Sequence, residues 1–156
     1  MSQFISVFDM LKIGVGPSSS HTLGPWRAAE KWIQKLKENE KFHLIDAIHA
    51  DLYGSLSLTG KGHATDLAIQ LGLSGADPEY LPIEDIPDII EKIKSTAHIF
   101  LNNEKNIPFS STSIAFNREF LPFHANGIRF RGFLNEEEIS TQTYYSIGGG
   151  FIVQED

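Results

Sequence analysis

FHLIDAIHADLYGSLSL (Phe42–Leu58) changes the rhythm of the chain. Leu44, Ile48, Ala50 and Leu52 fall on one face of an extended segment, and His49, Asp51 and Tyr53 fall on the other. A period of two predicts a strand with one face against a core. The residues before it keep a longer period. From Thr22 to about Lys37, apolar Leu23, Trp26, Ala29, Ile33 and Leu36 recur every three to four positions, the spacing of an amphipathic helix. Pro25 falls in its first turn, where a missing N–H does little harm, and Lys35 and Lys37 suit its C-terminal dipole. After the strand, Gly60-Lys61-Gly62-His63 breaks the pattern. A second helix then begins at Thr65 or the residue before it and carries Leu67, Ala68 and Leu71, with Gly72 and Gly75 marking its end.

Working outward, Phe4, Ile5, Phe8, Met10 and Leu11 suggest a short helix over 4–12. Asp77–Pro87 is a turn-rich connector with three prolines, and Pro87 opens a helix through Ile90, Ile93 and Thr96. From there the text is β: His98–Leu101, Thr112–Asn117, Gly127–Leu134 and Thr141–Val153 are candidate strands, and Asn126-Gly127 is a tight-turn pair. Helices early and strands late predict an α+β domain (α/β-type), a mixed β-sheet flanked by helices. No repeat, low-complexity segment or linker interrupts the chain, so residues 1–156 are expected to form one domain. Few residues follow the last strand: either the sheet ends there or a longer polypeptide has been divided after it.

Bulk composition narrows the function. A chain of 156 residues buries roughly two thirds of its unfolded surface. Thirteen basic against twenty acidic residues give a net charge of −7, which argues against nucleic acid or an anionic membrane as partner. There are no cysteines, which excludes disulfides, thiolate catalysis and any cysteine-held metal or cluster within the chain. The opening MSQFISVFDML lacks the basic start and long apolar core of a signal peptide, and no apolar run approaches the ~20 residues that span a bilayer. A cytoplasmic location is expected.

Chemistry concentrates in three turns. Gly14-Val15-Gly16-Pro17-Ser18-Ser19-Ser20-His21-Thr22 stands directly before the first helix, where unpaired N–H groups and the helix dipole favour an anion. Its bland alternative is a Ser/Thr cap. His63 and Thr65 stand two apart at a helix entry, and His124 and Asn126 two apart beside a turn. The bland alternatives are capping by Thr65 or Asp66 and a left-handed turn residue at Asn126. Three histidine-bearing turns in one small domain point to a shared polar site. His43 and His49, six apart, would be two surface histidines on one strand face, and His98 has no motif around it. No histidine pair has zinc-site spacing, so no metal ligand is assigned. Two phosphate-loop patterns fail. Five residues separate Gly54 from Gly60 where four are required, and Gly14-x-Gly16 runs on to Ser19 rather than glycine.

The motifs together resemble a known family. KIGVGPSSSHTLGPWRAA (Lys12–Ala29), DLYGSLSLTGKGHATDLAIQLGL (Asp51–Leu73), His124-Ala125-Asn126-Gly127 and TYYSIGGGFI (Thr143–Ile152) are similar, in order, to segments of the iron–sulfur-dependent bacterial L-serine dehydratases. One departure is Ala125, where the family is expected to carry proline. The resemblance implies the smaller β part, fused or separate, beside an α part whose cysteines hold a [4Fe–4S] cluster, in a homo-oligomer such as a dimer. It also implies a fold like the allosteric substrate-binding domain of some phosphoglycerate dehydrogenases. The implied reaction is β-elimination of L-serine to pyruvate and ammonia, as part of amino-acid degradation. By motif matching, His63 would be the catalytic base or acid, held or assisted by Thr65. Ser18, Ser19, Ser20, His21 and Thr22 would bind the substrate carboxylate and hydroxyl. His124 and Asn126 would form a second polar cluster, either catalytic or a regulatory serine site. The rival functions are a serine-sensing or assembly module with the chemistry left to the α part, a stand-alone phosphate- or nucleotide-binding domain, and a purely structural domain.

Overall fold

The computed structural model describes residues 20–60 and 64–156. The expected helix over 4–12, the Gly14–Ser19 part of the first turn and Lys61–His63 lie outside the described residues, and with them Ser18, Ser19 and His63. Helix α1 spans Leu23–Glu38. Strand β1, Ala47–Tyr53, is followed by the short α2, Ser55–Gly60, and then by α3, Ala64–Leu73. Helix α4, Ile86–Thr96, has a proline in its first turn and ends at Ala97 in a left-handed conformation. The rest is β: β2 His98–Leu101, β3 Lys105–Pro108, β4 Ile114–Asn117, β5 Gly127–Leu134, β6 Glu137–Gly148 and β7 Phe151–Gln154.

β1 decides the architecture. It pairs in parallel with β4 and antiparallel with β5, which makes a mixed five-stranded sheet in the order β4-β1-β5-β6-β7, while β2 and β3 form a separate hairpin. Ile48, Ala50 and Leu52 point to the core, as the alternation predicts. They join Ile128 and Phe130 of β5 and Tyr144 of β6 in one cluster with Trp32, Ile33 and Leu36 of α1. Trp32 stacks on Phe130 at 5.2 Å between ring centres, and its indole N–H donates to the Ser140 hydroxyl at 3.3 Å. Aromatic burial of this kind anchors a helix to a sheet with more force than any one polar contact. The opposite sheet face is polar. Asp51 accepts from Arg131 at 3.0 Å with His49 3.3 Å away, and Arg129 donates to the Thr143 and Tyr53 hydroxyls.

The sequence reading needs correcting at five places. The strand occupies 47–53, not 42–58: Leu44 is exposed before it, and Gly54, at φ +59°, turns the chain into α2. His43 therefore lies outside the strand and shares no strand face with His49. Thr141–Val153 is two strands, because Gly148, Gly149 and Gly150 all take positive φ and fold β6 back onto β7. Gly72 lies inside α3 instead of marking its end. Asn126-Gly127 does not join two paired strands: Gly127 begins β5 and pairs with Tyr145.

The register brings one set of ends together. The C-terminal ends of β1, β4 and β6 and the N-terminal ends of β5 and β7 lie at the same edge of the sheet. The turn into α2, the 118–126 loop and the β6–β7 turn all emerge there. Among the described residues no helix is long and apolar enough to cross a membrane.

Candidate functional site

Ser20, His21 and Thr22 enter α1 with their main chain tied to three other places. The Ser146 hydroxyl donates to the Ser20 carbonyl at 2.7 Å, and the Thr65 hydroxyl donates to the His21 carbonyl at 2.6 Å. The Thr22 carbonyl accepts the first helical bond, from Trp26 N–H at 3.0 Å. Both hydroxyl donors are buried. Each such bond contributes about 1 kcal/mol net, but leaving a partly buried carbonyl without a donor would cost about 1–3 kcal/mol. The turn is therefore fixed through its backbone. Within it the Ser20 hydroxyl lies 3.1 Å from Nδ1 of His21.

Thr22 occupies the cap position of α1 yet makes no side-chain cap bond. Its hydroxyl is buried and, among the described residues, has no hydrogen-bond partner. The capping alternative thus fails where the sequence made it most natural. Buried polar atoms are nearly always paired, so this orphan hydroxyl is a feature that helix capping does not explain.

The second turn meets the first through Ser146. The Asn126 side-chain N–H donates to the Ser146 carbonyl at 3.1 Å, and the Ser146 N–H donates to the Asn126 carbonyl at 3.0 Å. The Asn126 N–H donates to Nδ1 of His124 at 3.0 Å, so in the neutral ring the proton sits on Nε2. Asn126 does not take positive φ, which removes the left-handed-turn alternative. Its side-chain oxygen is buried and unpartnered among the described residues.

Five of the sequence-predicted site residues, Ser20, His21, Thr65, His124 and Asn126, are therefore joined by hydrogen bonds to one another or through Ser146. Thr22 is held beside them by the chain. The hydroxyl hydrogen of Thr65 is committed to the His21 carbonyl. Ser18, Ser19 and His63 lie outside the described residues. Ser146 is what the residue-by-residue reading missed, although it stands inside the quoted TYYSIGGGFI segment. Gly24 is missed with it: a Cβ there would lie 1.9 Å from the Ser146 hydroxyl oxygen, so only glycine lets α1 start this close to β6.

Tyr145, next to Ser146, packs on Phe123 at 4.8 Å and donates its hydroxyl to Glu155 at 2.8 Å. Burial and that bond push its pKa up to about 12, so it stays a neutral phenol and is no candidate base. Among the described residues no three His, Asp or Glu side chains gather as a metal site, and the chain has no cysteine. These residues do not fit an iron–sulfur cluster as its ligands. They do offer a hydroxyl, an imidazole and an amide at one sheet edge, a set suited to a small polar molecule.

Known proteins are similar to this chain along nearly its whole length. The chain matches the family model described as serine dehydratase beta chain over residues 6–156. It is 48% identical over 154 residues to an L-serine dehydratase of Haemophilus influenzae, 46% over 155 to L-serine dehydratase TdcG of Escherichia coli and 44% over 155 to an L-serine dehydratase of Streptomyces coelicolor. Each match covers 97% of this chain but 34% of the relative, so the chain spans about a third of the length of these curated relatives. The match runs through all the turns described above, and the chain belongs to the serine dehydratase beta chain family.

Proposed function

We propose that this chain is the β part of an L-serine dehydratase that converts L-serine to pyruvate and ammonia together with a cysteine-bearing α part. The observation that carries the reading is that two of the three unpartnered buried side-chain atoms among the described residues, the Thr22 hydroxyl and the Asn126 side-chain oxygen, are set on turns that Ser146 joins, while the third, the Tyr144 hydroxyl, lies in the core. L-Serine is a zwitterion: its carboxylate wants a donor such as Thr22, and its ammonium wants an acceptor such as Asn126. The names of the relatives support the same substrate, and the chain's share of their length supports a second part.

The reaction breaks the Cα–H and Cβ–O bonds of L-serine, releases water and leaves an aminoacrylate that hydrolyses to pyruvate and ammonia. A [4Fe–4S] cluster on the α part would supply Lewis acidity. This chain's share is to bind and orient substrate through Ser18, Ser19, Ser20, His21 and Thr22, and to take the weakly acidic Cα proton on a placed imidazole. His63, two positions before Thr65 in the sequence, is the proposed base. A cytoplasmic, homo-oligomeric enzyme goes with this reading. A second reading has a specific support: Nδ1 of His124 is occupied by the Asn126 N–H, an arrangement that suits holding a ligand more than moving a proton. In that case the His124–Asn126 turn senses serine and the chemistry rests with the α part.

The test is pyruvate release from L-serine under anaerobic conditions, by this chain, by the α part and by both. Activity confined to the mixture is the expected result, with His63→Ala in this chain abolishing it. Full activity of the α part alone would leave this chain a sensing or assembly module, and full turnover with His63→Ala would remove the base assignment.

A further inference from the structure

Eight large apolar side chains are exposed among the described residues, and they are not scattered. Leu58, Phe120, Phe123, Ile147 and Phe151, between 48% and 70% exposed, all belong to segments that emerge at the site edge of the sheet. Leu58 is on α2, directly after β1. Phe120 and Phe123 are in the loop between β4 and β5, and Ile147 and Phe151 flank the β6–β7 turn. The first two segments are stitched together: Gly54 N–H donates to the Glu119 carbonyl at 2.8 Å and Ser55 N–H to the Ala125 carbonyl at 3.0 Å. Phe123 is held to the sheet by Tyr145. The remaining three, Leu44, Tyr80 and Phe100, stand before β1, in the connector and on the β2–β3 hairpin, each in a different part of the chain.

Single exposed apolar residues need no explanation, but a group around a polar site does. Three phenylalanines rimming polar turns have the make-up of an interface core, in which aromatic anchors exclude water from the polar contacts they surround. We infer that this rim is the docking surface for the cysteine-bearing remainder of the enzyme, which closes over Ser20–Thr22 and Asn126 and supplies the opposite wall of the site. The inference rests on the function proposed above. Two lines favour that occupant. About two thirds of each relative's length lies beyond what this chain matches, so a surface must receive it. A second copy of this chain would bring no cysteine and no group that the site does not already contain.

The experiment is anaerobic co-purification of this chain with its separately expressed α part, with affinity measured by titration. The variants are Phe120→Asp/Phe151→Asp on the rim and Phe100→Asp away from it. All three side chains are exposed, and thermal unfolding of each variant alone checks that the fold is kept. The rim variant is expected to bind roughly 30-fold more weakly or worse, as hot-spot residues do, and Phe100→Asp within about twofold of the unaltered chain. Equal binding by the rim variant, release by Phe100→Asp instead, or no binding by the unaltered chain overturns the inference. So does a rim variant that loses self-association while still binding the α part, since the occupant would then be a second copy. The two proposals fail separately. A complex that needs the rim but makes no pyruvate from L-serine keeps the docking and removes the function. A mixture that makes pyruvate with the rim variant undiminished does the reverse.

Discussion

Replacing Gly24 by alanine would set a methyl carbon 1.9 Å from the Ser146 hydroxyl oxygen and 2.8 Å from its Cβ. In an ordinary helix this change gains up to about 1 kcal/mol from backbone entropy. Here overpacking costs about 1–3 kcal/mol, and displacing the Ser146 hydroxyl strands the Ser20 carbonyl at a similar further cost. Steric loss wins, and Gly24→Ala is expected to destabilise the chain by about 2 kcal/mol or more. Ser146→Ala should cost about 1–3 kcal/mol through the lost bond alone. The two changes share one contact, so the double variant should lose clearly less than the sum, because the nearer of the two atoms that the methyl strikes is gone. Urea unfolding of the four proteins measures it. Strict additivity would mean that Gly24 and Ser146 do not press on each other.

At the scale of elements, α1 and α3 cross at Gly72, where a Cβ would lie 2.6 Å from the Trp26 carbonyl oxygen and 2.8 Å from the Ala29 Cβ. Gly72→Ala should therefore lower Tm by about 3–8 °C, even though alanine is the better helix former by about 1 kcal/mol. A variant melting at or above the parent would show that the helices slide apart without cost. The same glycine shows what a sequence conceals. Read along the chain it looks like a helix stop; only the approach of a second helix gives it another purpose. Other boundaries depend on local chemistry and were legible: His98–Leu101 and Gly127–Leu134 begin and end where the pattern places them. Ser55–Gly60 was not, because SLSLTG alternates like a strand while its fold is set by the turn at Gly54. Lys105–Pro108 offered one buried apolar residue, Ile107, too few to register a period. The candidate site divides in the same way. Its turns announced themselves because hydroxyls, imidazoles and amides crowd at element ends. Ser146 is one serine in a strand, and its meaning comes from residues 126 positions before it and 20 before it.

For the molecule as a whole, the question is whether its site is complete. Thr22 and Asn126 each present one unpartnered buried atom, which is too little to hold a freely hydrated amino acid against the entropy it loses. If the opposite wall belongs to the α part, L-serine should bind the isolated chain too weakly to register, and the α part should be the stabilising ligand. Ligands that bind only the folded state stabilise by about 2.7 kcal/mol at a hundredfold excess over Kd, which for a chain of this size raises Tm by roughly 5–10 °C. Thermal unfolding is then expected to show no shift above about 1 °C with L-serine alone, a rise within that larger range with the α part, and a further rise with both. D-Serine serves as the control for a specific effect. A saturable rise of Tm with L-serine alone, absent with D-serine, would place a complete serine site within this chain. The His124–Asn126 turn would then be the first place to look for it, since its imidazole is already held in one tautomer by the Asn126 N–H and its amide oxygen still lacks a donor.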